Sequence, residues 1–126
     1  MTDKIQILVV EDEDQIRESL IIHLSGEGYE ASGAANGNEA IPLIHGKEFH
    51  IIVLDLKMPY IDGLDVLKFI KSTFPQTKVI ILTAYADMKT TTKCRELGAD
   101  EVIGKPYDLE FLMATIERMI RSIQSA

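Results

Sequence analysis

The sequence predicts an α/β fold, a doubly wound five-stranded parallel sheet forming a single domain. Three observations predict it. Short apolar runs, Ile7-Leu-Val-Val10, Ile51-Ile-Val-Leu54, Val79-Ile-Ile-Leu82 and Val102-Ile103, alternate with stretches of helical periodicity. The second run is a near-continuous β-branched stretch, as a strand buried on both faces requires. The chain is 126 residues long and 46% hydrophobic, enough to fill both faces of one sheet and too short for a second domain.

The elements follow in order. Strand one is expected over about Lys4 to Val10. Asp14 is placed to cap a helix through about Ser25, with Ile16, Leu20 and Leu24 recurring every four residues and Gly26 and Gly28 stopping it. A weaker strand spans Tyr29 to Ala34. Asn36-Gly37-Asn38 then turns the chain into a short helix through about Ile44, with Pro42 near its start. Strand three covers His50 to Leu54 and delivers Asp55. Leu64, Val66, Leu67, Ile70 and Phe74 give the next helix its apolar stripe, up to Pro75. Strand four is Lys78 to Leu82. The following helix, Asp87 to Leu97, contains Thr90-Thr-Thr, whose β-branched side chains make it marginal on its own, and mobility is expected there. Strand five is Glu101 to Ile103, and Asp108 caps a last helix with Leu109, Leu112, Met113, Ile116, Ile120 and Ile123 on one face. The strand order 2-1-3-4-5, the flavodoxin-like (βα)5 arrangement, is expected because strands one and three then flank the switch point and both end in acids.

Composition narrows the function. Twenty acidic residues against 13 basic ones leave a net charge of −7 with no Lys/Arg cluster, which excludes direct nucleic-acid binding and points to a protein partner. One cysteine, Cys94, rules out an internal disulfide framework and reads as a packing residue. His23, His45 and His50 lack ligand partners at useful spacing, and the five methionines read as core filler. No long apolar segment suggests a membrane span or signal peptide, so a cytoplasmic protein is expected.

In a parallel sheet the carboxyl ends of the strands line up. Glu11, Asp12, Asp55, Thr83 and Lys105 then converge on one crevice. Taken singly, each has an ordinary explanation: Glu11 and Asp12 as acids at a helix amino end, Asp55 as a loop acid, Thr83 as a strand-end residue and Lys105 as a solvated charge. Together they lack one, because three acids at neighbouring strand ends repel each other unless a cation neutralises them. Carboxylates in a hydrated crevice suit Mg²⁺. Asp55 can act as nucleophile toward a phosphoryl donor, with Thr83 and Lys105 binding phosphoryl oxygens.

Val10-Glu11-Asp12, Leu54-Asp55 with Met58-Pro59 and Asp62-Gly63, Leu82-Thr83-Ala84, Gly98-Ala99-Asp100 and Lys105-Pro106 resemble, in this order, the receiver domain of two-component response regulators over essentially the whole chain, residues 1–126. The resemblance implies that Asp55 is the phosphoacceptor, and that Asp12, Asp55 and the backbone carbonyl of Lys57 ligate Mg²⁺, with Glu11 acting largely through water. It also implies that Thr83 and Lys105 contact the phosphoryl group, and that the Lys105-Pro106 peptide is cis. Such a domain is a phosphoacceptor rather than an enzyme, taking part in its own phosphotransfer and in slow autodephosphorylation. Ala84, Pro106 and Val102 are modulating positions. Lys57 and Tyr85 flank the crevice, where a long ammonium chain and a phenol ring can obstruct hydrolytic water; the same pairing looks like that of single-domain phosphorelay receivers.

Two positions depart from the family's commonest pattern. Val102 stands where an aromatic often turns inward when the threonine moves, which puts a threonine–aromatic switch in doubt. Phe111 replaces a usually polar residue on the outer side of the last helix. The implied partners are a histidine kinase or histidine phosphotransfer protein and a downstream protein target, with phosphorylation-linked homodimerisation left open. Ile21 and Ile22, off the core stripe of the first helix, are candidates for the donor-facing surface.

Three alternative functions share parts of this pattern. A receiver fragment of a larger transcriptional regulator would carry the same motifs. An aspartyl-phosphate phosphatase of the haloacid-dehalogenase type needs an acid two residues after the nucleophile, where Lys57 stands. A flavodoxin-like FMN carrier needs a phosphate loop where Glu11-Asp-Glu-Asp14 would repel phosphate.

Overall fold

The computed structural model describes residues 4–56 and 61–125. Ten elements alternate strictly: β1 (Gln6–Val10), α1 (Asp14–Gly26), β2 (Glu30–Ala34), α2 (Gly37–Gly46), β3 (Ile51–Leu56), α3 (Ile61–Thr73), β4 (Lys78–Thr83), α4 (Met88–Glu96), β5 (Glu101–Gly104) and α5 (Leu109–Gln124). All strand pairs are parallel, and the sheet order is β2-β1-β3-β4-β5, as expected. Register places Ile7 beside Ile51 and Ile51 beside Lys78, so the carboxyl ends of β1, β3 and β4 open on the same side.

Alternate strand residues feed two cores. Ile7, Val9, Val53, Ile80 and Leu82 pack under α1 and α5 with Leu20, Leu24, Leu112 and Ile116. Leu8, Ile52, Leu54 and Ile81 pack under the other three helices with Ile44, Leu67, Ile70 and Cys94. Burying each such aliphatic side chain contributes about 1.5–3 kcal/mol. That burial is what holds the strand ends in register at the crevice.

Several boundaries differ from expectation, each for a local reason. Asp14 does not cap α1: the cap position is Glu13, which makes no side-chain cap bond, while the Asp14 carboxylate is taken by Arg17 at 2.6 Å. Asp55 lies inside β3 rather than beyond it, because pairing with β4 continues to Leu56 opposite Thr83. Thr83 and Gly104 likewise fall within their strands. Asn36 caps α2 by accepting from Glu39 N–H, and Glu39 in return accepts from Ala35 N–H, a reciprocal arrangement that fixes the start of the helix, which runs to Gly46 with Pro42 inside it. Asp87 and Asp108 cap α4 and α5 by accepting backbone N–H bonds from Thr90 and Glu110.

Ile21 is not an outward residue: it packs against the α1/α5 core and its Cδ1 occupies the space beside Gly33, where β2 has no side chain. Ile22 does face outward, at 68% exposure, and Phe111 is exposed as well. Cys94 is buried. Met119 is core, but Met88 is 84% exposed at the first position of α4, which corrects its reading as core filler. His50 has a structural role, its Nδ1 accepting from Gln6 N–H at 2.9 Å and so tying β1 to the start of β3.

Candidate functional site

The acids meet at the carboxyl ends of β1 and β3. One carboxylate oxygen from each of Glu11, Asp12 and Asp55 lies within 4.8 Å of the others. Glu11 is 2% exposed and Asp55 7%, whereas Asp12 is exposed at the mouth. Two aligned strands thus force two carboxylates into a buried position that neither would occupy alone.

Lys105 faces them from the loop after β5. Its ammonium lies 2.9 Å from Asp55 Oδ2 and 3.9 Å from Glu11 Oε1. The Lys105-Pro106 peptide is cis, and Lys105 N–H donates to the Thr83 carbonyl at 2.8 Å. Glu11 is fixed at several points: its N–H donates to Ala34 O, and its Oε2 accepts from Glu13 N–H at 3.0 Å. Burial raises the Glu11 carboxyl from 4.5 to about 7; the Glu13 N–H opposes the rise, the adjacent Asp55 adds to it, and the Lys105 charge offsets part of it.

This chemistry fits a hard divalent cation. Among the described residues, Glu11 Oε1 and Asp55 Oδ1 are buried without a hydrogen-bond partner. Buried carboxylate oxygens left unpaired are costly, and one ammonium cannot satisfy two acids. Glu11, Asp12 and Asp55 together supply an all-oxygen donor set of the kind Mg²⁺ accepts while retaining waters.

Thr83 sits buried at the end of β4, and its hydroxyl accepts from Tyr85 N–H at 2.9 Å. Ala84 and Tyr85 are exposed beyond it, and Pro106 is exposed beside Lys105. An open groove of about 1070 Å³ runs from Thr83 between Leu56, Leu64, Tyr85, Met88 and Lys93. Val102 is partly buried against the α2, α3 and α4 core, with no aromatic at that position. Lys57, expected to offer a carbonyl to the metal, lies outside the described residues, as does Met58-Pro59.

Two further residues belong to this neighbourhood. Tyr107 is partly buried, and its phenol is raised by burial and then by the charges of Glu11 and Asp55. Arg17 reaches back from α1 to donate to the Glu11 carbonyl at 2.8 Å. The Asp14/Arg17 spacing signals the helix pair, but nothing in it signals the reach to Glu11.

The geometry has counterparts in known proteins. The response regulator MprA of Mycolicibacterium vanbaalenii is 37% identical over 93% of this chain and 51% of its own. This chain spans about a quarter to a half of the length of the curated relatives it matches. A receiver domain protein (CheY-like) from Methanospirillum hungatei superposes with a TM-score of 0.89 at 29% identity, covering 98% of this chain and 100% of that one. A response regulator from Burkholderia pseudomallei, solved with a phosphorylated aspartic acid and a calcium ion, gives 0.82 at 28% identity, covering 98% and 72%. The family model for the response regulator receiver domain matches residues 7–117, which takes in all five strands except the first residue of β1 and includes every acid of the crevice, and by that match the chain belongs to the response regulator receiver family.

Proposed function

We propose that this chain accepts a phosphoryl group from a phosphohistidine donor onto Asp55 and thereby switches a protein-binding surface. The observation that carries this reading is the Lys105 ammonium at 2.9 Å from a buried Asp55 whose other oxygen has no partner among the described residues. An Asp55 carboxylate oxygen forms the bond to phosphorus as the phosphorus–nitrogen bond of the donor breaks, and the histidine nitrogen keeps that electron pair. Lys105 binds a phosphoryl oxygen as negative charge gathers, and the Thr83 hydroxyl, at the neighbouring strand end, can donate its O–H to another while its oxygen still accepts from Tyr85 N–H. Glu11, Asp12, Asp55 and the Lys57 carbonyl would hold Mg²⁺. When bound, Mg²⁺ supplies the positive charge that offsets repulsion between the carboxylate and the incoming phosphoryl oxygens.

The donor is a histidine kinase or a histidine phosphotransfer protein, docking against α1 through the exposed Ile22. Tyr85 and Lys57 slow hydrolysis by crowding the line of approach to phosphorus. The greater length of the relatives supports the reading that such a receiver governs an output region of a larger regulator. The acidic balance favours output by protein contact. Among the described residues no helix is long and apolar enough to cross a membrane.

Acetyl phosphate with Mg²⁺, read by intact mass, tests the core of the proposal. One phosphoryl group should be added, and its addition should be lost in Asp55→Asn and in the presence of chelator. Undiminished labelling of the Asn variant would sink the assignment.

A further inference from the structure

Glu11 is held at three points, and one of them comes from a side chain outside the acid cluster. Its N–H donates to Ala34 O at the end of β2, and its Oε2 accepts from Glu13 N–H. Its carbonyl accepts from Arg17 Nη1 at 2.8 Å, while Arg17 Nη2 pairs with Asp14 at 2.6 Å. What remains is Oε1, 3.9 Å from Lys105 and among the crowded acids. Arg17 is not an ordinary surface ion-pair residue. Its side chain is only 17% exposed, and its stem lies beside Gly33, where a Cβ would meet Cδ at 3.1 Å and Cγ at 3.2 Å.

From this we propose that Arg17 is a positioning residue for the divalent cation: its guanidinium fork pins the loop from Glu11 to Asp14, so that Glu11 and Asp12 face Asp55 as a set. The proposal rests on the reading of these acids as a cation site. A fork bonded to a carbonyl at one tip and a carboxylate at the other fixes their separation, as a single ammonium does not. Partners that orient ligands without touching a metal typically change its affinity by about 10–100-fold.

The sign of the effect separates positioning from charge. Arg17 brings a positive charge close to a site for a cation, so Coulomb's law alone makes removal of that charge tighten binding. Positioning makes the same removal weaken it. Mg²⁺ titration by calorimetry and Mn²⁺ binding by electron paramagnetic resonance, on wild type, Arg17→Met and Asp12→Ala, distinguish the two. Arg17→Met should raise both dissociation constants by about tenfold. An unchanged or lowered constant overturns the proposal.

If Arg17→Met does not fold, Arg17→Lys takes its place. It keeps the charge and lacks the fork, and a wild-type dissociation constant in that variant overturns the proposal equally. Failure of the underlying reading looks different. A wild type that binds neither ion, or binds both as well after Asp12→Ala, removes the cation site itself. A wild type that binds and depends on Asp12, with the Arg17 variant unaffected, removes only the role of Arg17.

Discussion

The two walls of the crevice are built in opposite ways. On the β1–α1 side, Glu11 is pinned by β2, by Glu13 and by Arg17, and α1 is anchored through Leu20 and Leu24. On the β4–α4 side, Thr83 is buried but residues 84–89 are exposed, and α4 buries Cys94 alone. The contrast teaches that the acids are held in place before any ligand arrives, while the hydroxyl wall is free to adjust to one. A phosphoryl group bound by Thr83 and Lys105 would therefore bias α4 rather than α1.

The largest effect expected from this contrast is in backbone hydrogen exchange. Amides of β1 and α1 should exchange near the rate of global unfolding, and those of α4 about 100-fold faster or more, because α4 has few apolar contacts to lose on opening. Equal protection of α1 and α4 would erase the distinction between the walls.

The second effect concerns pH on the rigid wall. The Glu11 carboxyl is raised to about 7 in the folded protein, mainly by burial, from its ordinary 4.5. Between those values the folded chain binds more protons than the unfolded one, so stability without divalent cation should fall as pH rises from about 4.5 to 7. Chemical denaturation across that window checks the sign, and Glu11→Gln should flatten the dependence. A metal-free stability that climbs through the window contradicts the burial of Glu11 as an acid.

Much of this was legible in the chain, and what was not has identifiable causes. The strands could be read because branched apolar runs declare burial on both faces, and the acids because Glu11 and Asp55 each follow such a run directly, with Asp12 next to Glu11. The place of β1 beside β3 was legible because Glu11 and Asp55 need neighbouring strands, whereas the rest of the order came with the flavodoxin-like fold and not from the residues. Side-chain reach was invisible: periodicity places Arg17 on a helix but does not say that it bends back to the Glu11 carbonyl, or that Asp14 answers it instead of capping α1. Ile21 was misplaced because its outward angle on α1 is cancelled by Gly33 on β2, a residue distant in sequence. Met88 shows that residue type without a face says little, since it stands at the first position of α4, exposed along the groove.

A smaller effect belongs to the cap of the more exposed wall. Asp87 accepts from Thr90 N–H at 2.7 Å, and the Thr90 bond holds its carboxyl below the ordinary value. The contribution is present above the unfolded value of 3.8 and is lost as pH falls through the lower folded one. Asp87→Ala should lower the protection of α4 amides several-fold and leave α1 unchanged. Loss of protection in both helices would mean that the walls open together.

The smallest effect concerns the ion pairs that tie α4 to the rest of the molecule. Glu101 on β5 accepts from Arg95 of α4 and from Arg118 of α5, each at 3.1 Å. Both arginines are more than half exposed, so the bridges lie in high dielectric and are screened by salt. Glu101→Gln should cost less than about 1 kcal/mol of global stability, and less still at high ionic strength. Its consequence should be local and one-sided. The α5 helix keeps its place through Leu112, Ile116 and Ile120, which no surface charge affects, whereas α4 loses one of its few attachments. Exchange should therefore quicken in α4 at low salt and stay unchanged in α5; equal changes in both helices would show that the bridge holds the whole face and not α4 in particular.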